Sequence, residues 1–241
     1  MTIKNIGWPC RSSTTLIIDV TKKCLYFINM TSNEYEKQKK LLIETFNKLS
    51  SSYKNLFTSD STQRAKVQSL VNSWNIQRGS KVLEIGGGIG DLSPYLLRKI
   101  GTEGELFFLD ISPKMVVKAR ERLYGYNNIR FFCGDITSAT FSDSFDSIVV
   151  FNTFPHFLNK QKAFSNMYKL LRKGGNLVIS HNNSRWGIVG HHKRKEFSSL
   201  VSDFPEDSVV FELLTKVGFD IEVFENNEGY DYYLVTAKKN T

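Results

Sequence analysis

Residues Lys81 to Asp91 read Lys-Val-Leu-Glu-Ile-Gly-Gly-Gly-Ile-Gly-Asp, and no other stretch limits the fold as much. A short apolar run, Val82 to Ile85, enters a turn with glycine at positions 86, 87, 88 and 90, and a helical pattern follows from Leu92 to Ile100. Glycine is needed where backbone turns with positive φ, or where a ligand lies against the main chain with no Cβ between. Strand, glycine turn and helix in that order set a ligand over a helix N-terminus at the carboxyl edge of a parallel sheet. A dinucleotide turn requires Gly-x-Gly-x-x-Gly, and counted from Gly86 the last position is Asp91, so that pattern fails. Glu84 near the end of the strand is a carboxylate that attracts a cationic ligand and repels a pyrophosphate.

With 241 residues the chain can build one sizeable core, and a single α/β domain is the economical reading. Its net charge of +8 would favour anionic partners. The basic residues are spread, however, with small clusters only at Lys37–Lys40 and Lys193–Lys195, so a solvated basic surface is expected. Cys10, Cys24 and Cys133 are odd in number and lack metal-ligand spacing, which suits a reducing, cytoplasmic compartment. Residues 1–30 hold two broken apolar runs, Leu16 to Ile18 and Leu25 to Ile28, too short for a membrane span. They are expected to form a dispensable or poorly ordered extension, with a single domain spanning 31–241.

Helical spacing runs from Glu34 to Leu49 and again from Gln63 to Trp74, giving a helical segment over 31–75 ahead of the glycine strand. Leu106 to Leu109 reads as a second strand ending at Asp110, about two dozen residues beyond Gly86. A carboxylate there can accept both hydroxyls of a ribose. Ser112-Pro113 opens a helix to about Leu123, serine as N-cap and proline at the first helical position. Ile111 and Met115 could then pack on a base. Further strands are expected at Ile129 to Cys133, Phe145 to Phe151 and Leu177 to Ser180, the last preceded by a helix from Lys160 to Leu171 and a Lys173-Gly174-Gly175 stop. A helix containing Ser208 to Val217 leads to two closing strands, Phe219 to Phe224 and Tyr230 to Ala237, joined as an antiparallel hairpin.

Glu84-x-Gly86-x-Gly88-x-Gly90, with Asp110, Gly134-Asp135 and Leu171-Arg-Lys-Gly-Gly-Asn-Leu177, resembles the motif set of the class I S-adenosylmethionine-dependent methyltransferases over about residues 63–237. In outline it is similar to the ubiquinone and menaquinone biosynthesis methyltransferases and their small-molecule relatives. The resemblance implies a Rossmann-like three-layer α/β sandwich, its seven-stranded sheet mostly parallel with the last strand antiparallel. It also implies S-adenosylmethionine as cofactor, bound by Glu84, Gly86, Gly88, Gly90, Asp110, Ile111, Met115, Asp135, Ile136 and Asn152, with Asp135 on the adenine amino group. Phe46 and Tyr53 could cover the methionine end. A small-molecule acceptor follows from the same likeness. Base-methylating relatives carry Asn- or Asp-Pro-Pro-aromatic after the fourth strand, whereas here Asn152 is followed by Thr153-Phe154-Pro155, so nucleic acid is disfavoured. An RNA or protein methyltransferase, or a cofactor-binding protein without catalysis, stays open as an alternative.

All four histidines, His156, His181, His191 and His192, fall in one third of the chain. His156 follows the fourth strand and His181 the fifth, ends that are neighbours on the carboxyl edge of a parallel sheet. His156 and His181 are therefore expected to line the acceptor pocket, one as general base, with Arg185 holding an anionic acceptor group. No metal is assigned, because the spacing of these imidazoles is not diagnostic of a ligand set.

Overall fold

The computed structural model describes residues 30–52, 60–192 and 204–240. Among the described residues two helices come first, α1 (Ser32–Leu49) and α2 (Ser61–Ser73), then β1 (Lys81–Ile85), α3 (Ser93–Ile100), β2 (Glu105–Asp110) and α4 (Pro113–Arg122). The chain continues with β3 (Ile129–Cys133), β4 (Phe145–Phe151), a 3-10 turn at Phe154–His156, α5 (Lys160–Leu170) and β5 (Leu171–His181). It closes with α6 (Arg185–His192), α7 (Asp207–Val217), β6 (Phe219–Asn227) and β7 (Tyr232–Lys239). The 1–30 extension and Tyr53 lie outside the described residues, apart from Met30.

The seven strands form one sheet in the order β3-β2-β1-β4-β5-β7-β6. Strands β1 to β5 pair in parallel, while β7 runs antiparallel to both of its neighbours. Parallel strands covered on both faces need apolar side chains on both, and β1, β2 and β4 are buried almost throughout. Alternation along β1 sends Leu83 and Ile85 into a core with Phe164, Met167, Val210 and Leu214 of α5 and α7. Val82 goes the other way, to Val67 and Val71 of α2 and Leu96 of α3. Sheet and two helix layers thus make the α/β sandwich expected of the motifs. The strand order turns back between β1 and β4, and a crevice opens there at the carboxyl edge.

Several boundaries differ from the sequence reading, that of β5 most of all. Strand β5 begins at Leu171 rather than Leu177, because Leu171 already pairs with Phe145 before the register jumps to Asn176 opposite Ser147. Gly174 at φ 68° lies inside that irregularity, and a Cβ on Gly175 would meet two backbone carbonyls within 3.1 Å. The glycine pair therefore shapes a bulge rather than a stop. Helix α6 lies in a stretch to which the sequence reading assigned no element. Among the described residues, no helix is long and apolar enough to cross a membrane.

Candidate functional site

The four glycines after β1 have four different surroundings. A Cβ on Gly86 (φ 69°) would meet the Thr153 side chain at 2.2 Å, and one on Gly87 would meet the buried Phe108 ring at 2.1 Å. Gly90 (φ 80°) presses on α4, where a Cβ would lie 2.7 Å from Leu123. Only Gly88 (φ 58°) combines left-handed backbone with open space, nothing lying within 4 Å of its would-be Cβ. Gly86 and Gly88 border the cavity described below and Gly90 does not, so its expected cofactor contact is corrected to a packing role.

Asp110 ends β2 beside this turn. Its two carboxylate oxygens accept from the Gly88 amide at 2.9 Å and the Ser112 amide at 2.8 Å. Burial pushes its pKa up to about 6, although those two amides pull the other way. Glu84 is buried more deeply still, 2% exposed. Ser93 donates its hydroxyl to Oε2 at 2.6 Å, while Oε1 is buried with no hydrogen-bond partner. Burial first, and the Asp110 and Asp91 carboxylates after it, raise the Glu84 pKa to about 8 against the Ser93 hydrogen bond. The carboxyl group pictured from the sequence as a ready negative charge is thus shifted by its burial towards the protonated form.

A cavity of about 820 Å³, its open mouth included, lies over these strand ends. Gly86, Gly88, Asp110, Ile111, Met115, Asp135, Ile136 and Asn152 all line it, as does His156. A smaller recess of about 470 Å³ shares Gly86, Gly88 and Asn152 with it and reaches Glu84. Asn152 adopts left-handed backbone (φ 53°), a conformation asparagine tolerates, and its Oδ1 accepts from the Asn182 amide at 3.1 Å. Thr153 closes the crevice between β1 and β4, its hydroxyl 3.1 Å from the Gly86 carbonyl.

Helix α1 forms the roof, contributing Tyr35, Leu42 and Phe46. It is fastened at both ends. Tyr35 donates its hydroxyl to Asp135 Oδ2 at 2.6 Å and stands 2.9 Å from Thr137 Oγ1. At the other end Asn47 Oδ1 accepts from the Ser112 hydroxyl at 2.7 Å. Neither Tyr35 nor Asn47 stands out in the sequence, since neither lies near its partner along the chain.

The histidine expectation divides. His156 sits on the 3-10 turn after β4, lines the cavity, and meets Phe46 edge-on with ring centroids 5.1 Å apart. His181 is still a strand residue, paired with Tyr233 of β7, and its side chain points where Ile179 points, into the core. It is 3% exposed against Phe204 and Tyr233 and lines neither cavity. Arg185 is likewise engaged elsewhere: Nε donates to the Pro205 carbonyl at 3.0 Å and the guanidinium pairs with Glu206. Both residues are therefore corrected from acceptor-pocket roles to packing and loop anchoring. Of His191 and His192 only the backbone, in α6, is described.

Comparison with known proteins gives a consistent result. A family model described as "Methyltransferase domain" matches residues 82–175. The ubiquinone/menaquinone biosynthesis C-methyltransferase UbiE of Idiomarina loihiensis is 30% identical over 59% of this chain and 59% of its own length. The enzyme of the same name from Photorhabdus laumondii is 25% identical over 92% of this chain and 84% of its own. The chain thus spans about three fifths of the length of the first of these relatives. Among solved structures, the N-methyltransferase NodS of Bradyrhizobium japonicum in complex with S-adenosyl-L-homocysteine superposes with a TM-score of 0.59. At 18% identity, covering 82% of this chain and 97% of that one, it shares the fold.

Proposed function

We propose, from the premise that this chain belongs to the class I S-adenosylmethionine-dependent methyltransferases, that it methylates a small molecule with an apolar body, in the cytoplasm. One observation carries the reading: three successive strand ends deliver Gly86 and Gly88, Asp110 and Asp135 to a single cavity, and the fourth adds His156. S-adenosylmethionine fits these residues and supplies a methyl group already activated by sulfonium charge. Gly88 leaves open backbone for a ligand to lie against, and Asp110 is placed to share its oxygens with ribose hydroxyls. Asp135 accepts from an adenine amine, between Ile111, Met115 and Ile136. The partnerless Oε1 of Glu84 suits the ligand's ammonium, whose arrival favours the ionised carboxylate. Asn152 borders the same end.

With a donor so activated, the protein's part is orientation, exclusion of water and removal of a proton from the acceptor. Leu42, Phe46, Phe157 and Leu158 give the cavity an apolar portion that accepts a hydrocarbon or ring surface. His156, against Phe46, is the imidazole on that wall and acts as general base for a hydroxyl, amine or carbon acid. The test is transfer of an isotopically labelled methyl group to a panel of quinol, phenol and amine acceptors. His156→Ala should lower turnover by roughly 10²-fold or more while leaving donor affinity within about twofold. Undiminished turnover in that variant would remove His156 from the mechanism. Transfer to RNA or protein but to no small acceptor would overturn the substrate class.

A further inference from the structure

Asp135 is held from two directions. The Thr137 amide, two residues on, donates to Oδ1 at 2.9 Å, a local turn contact that would exist without the rest of the protein. The second oxygen is held from α1, 100 residues earlier in the chain, by the Tyr35 hydroxyl at 2.6 Å. That hydroxyl also lies 2.9 Å from Thr137 Oγ1, so Thr137 can donate to Tyr35 while Tyr35 donates to the carboxylate, each bond polarising the next. Lys39, one turn along α1, brings its ammonium to 3.7 Å from the same oxygen. Burial, reinforced by the Asp135 carboxylate, raises the Tyr35 pKa well above the usual phenol value, so Tyr35 remains a donor wherever proteins are stable. Tyr35, Asp135 and Thr137 all border the main cavity, so this network is part of its wall.

A carboxylate oxygen has two acceptor positions, and the contacts above leave capacity on both oxygens. The direction of that capacity is set by how the carboxylate is turned, and a single local amide would leave it free to swivel about its Cβ–Cγ bond. We infer that Tyr35 is a positioning residue for base recognition: its hydroxyl fixes the Asp135 carboxylate in the orientation that accepts an exocyclic amine, and so lets the cavity distinguish adenine from a 6-oxo purine. The inference rests on the proposed placement of adenine at Asp135. An amine at position 6 donates to the fixed oxygen, whereas a 6-oxo group turns a second acceptor towards it and is rejected.

The experiment measures, by calorimetry on the full chain, affinities for S-adenosylhomocysteine and for S-inosylhomocysteine, which differ at that one group. The wild type should prefer the adenosyl compound by more than about tenfold. Tyr35→Phe keeps the ring that roofs the cavity and should cut that preference about three- to tenfold. Asn47→Ala, which frees the other end of α1, should weaken both ligands and leave their ratio unchanged. A Tyr35→Phe ratio equal to wild type, with the ratio lost in Asp135→Asn, would overturn the role of Tyr35 and leave adenine at Asp135. A wild-type ratio in Asp135→Asn would overturn that placement and the inference with it. Should Tyr35→Phe fail to fold, Thr137→Val removes the second anchor of the same hydroxyl and must lower the same ratio; an unchanged ratio there overturns the inference.

Discussion

Glu84 and Asp110 are carboxyl groups whose proton affinities are raised chiefly by burial, to about 8 and about 6 respectively. Because each native value lies above its unfolded one, the native state binds more protons between the two, and stability falls as pH rises through that interval. For Glu84 the favourable contribution is complete below about 4.5 and lost as pH passes about 8. Glu84→Gln should therefore flatten the decline in unfolding free energy between pH 5 and pH 8, as read by denaturant titration of the ligand-free protein. A slope unchanged by the substitution would mean that Glu84 is ionised throughout. None of this was legible in the sequence, where a charged letter was read as a charge. The glycines were legible as a group, but their separate duties were not. Whether a missing Cβ faces Phe108, Thr153, Leu123 or open space depends on residues 21 to 67 positions away in the chain.

At the scale of elements, α1 decides access. It lies over the cavity through Tyr35, Leu42 and Phe46 and is held at its ends by polar contacts. Of its residues only Leu42 is fully buried, so little apolar packing holds it down. Such an element opens at lower free energy than the core. Amide hydrogen exchange across Ser32–Leu49 should slow at least about tenfold when S-adenosylhomocysteine is bound, while α5, which packs on the far face, stays as it was. Equal protection in both states would show that the roof does not respond to the ligand. Helical periodicity was enough to find α1, whose N-terminus Thr31 caps. Its docking was hidden because the anchors are single polar side chains meeting loops far along the chain. The histidine pairing failed for a related reason. Residues after β4 and β5 do end on one edge, but β7 extends the ladder to His181 and thereby turns that side chain into the core.

For the molecule as a whole, the strand order, the reversed β7 and the crevice between β1 and β4 follow from motifs spread along most of the chain. A ligand that binds only the assembled crevice stabilises everything that assembles it. S-adenosylhomocysteine at about 100 times its dissociation constant should add about 2.7 kcal/mol, a shift of roughly 5–10 °C in Tm, and NAD at equal concentration should add nothing comparable. A larger shift with NAD would overturn the choice of cofactor. The same architecture has a consequence for synthesis. Strand β1 lies inside the sheet, yet one of its two partners, β4, is made only after α3, β2, α4 and β3. The Thr153 hydroxyl that reaches the Gly86 carbonyl must wait for 67 further residues to be joined. Until β4 is made, a growing chain exposes one bare edge of β1, and a fragment halted before Phe145 carries the whole glycine motif with only one of that strand's two partners.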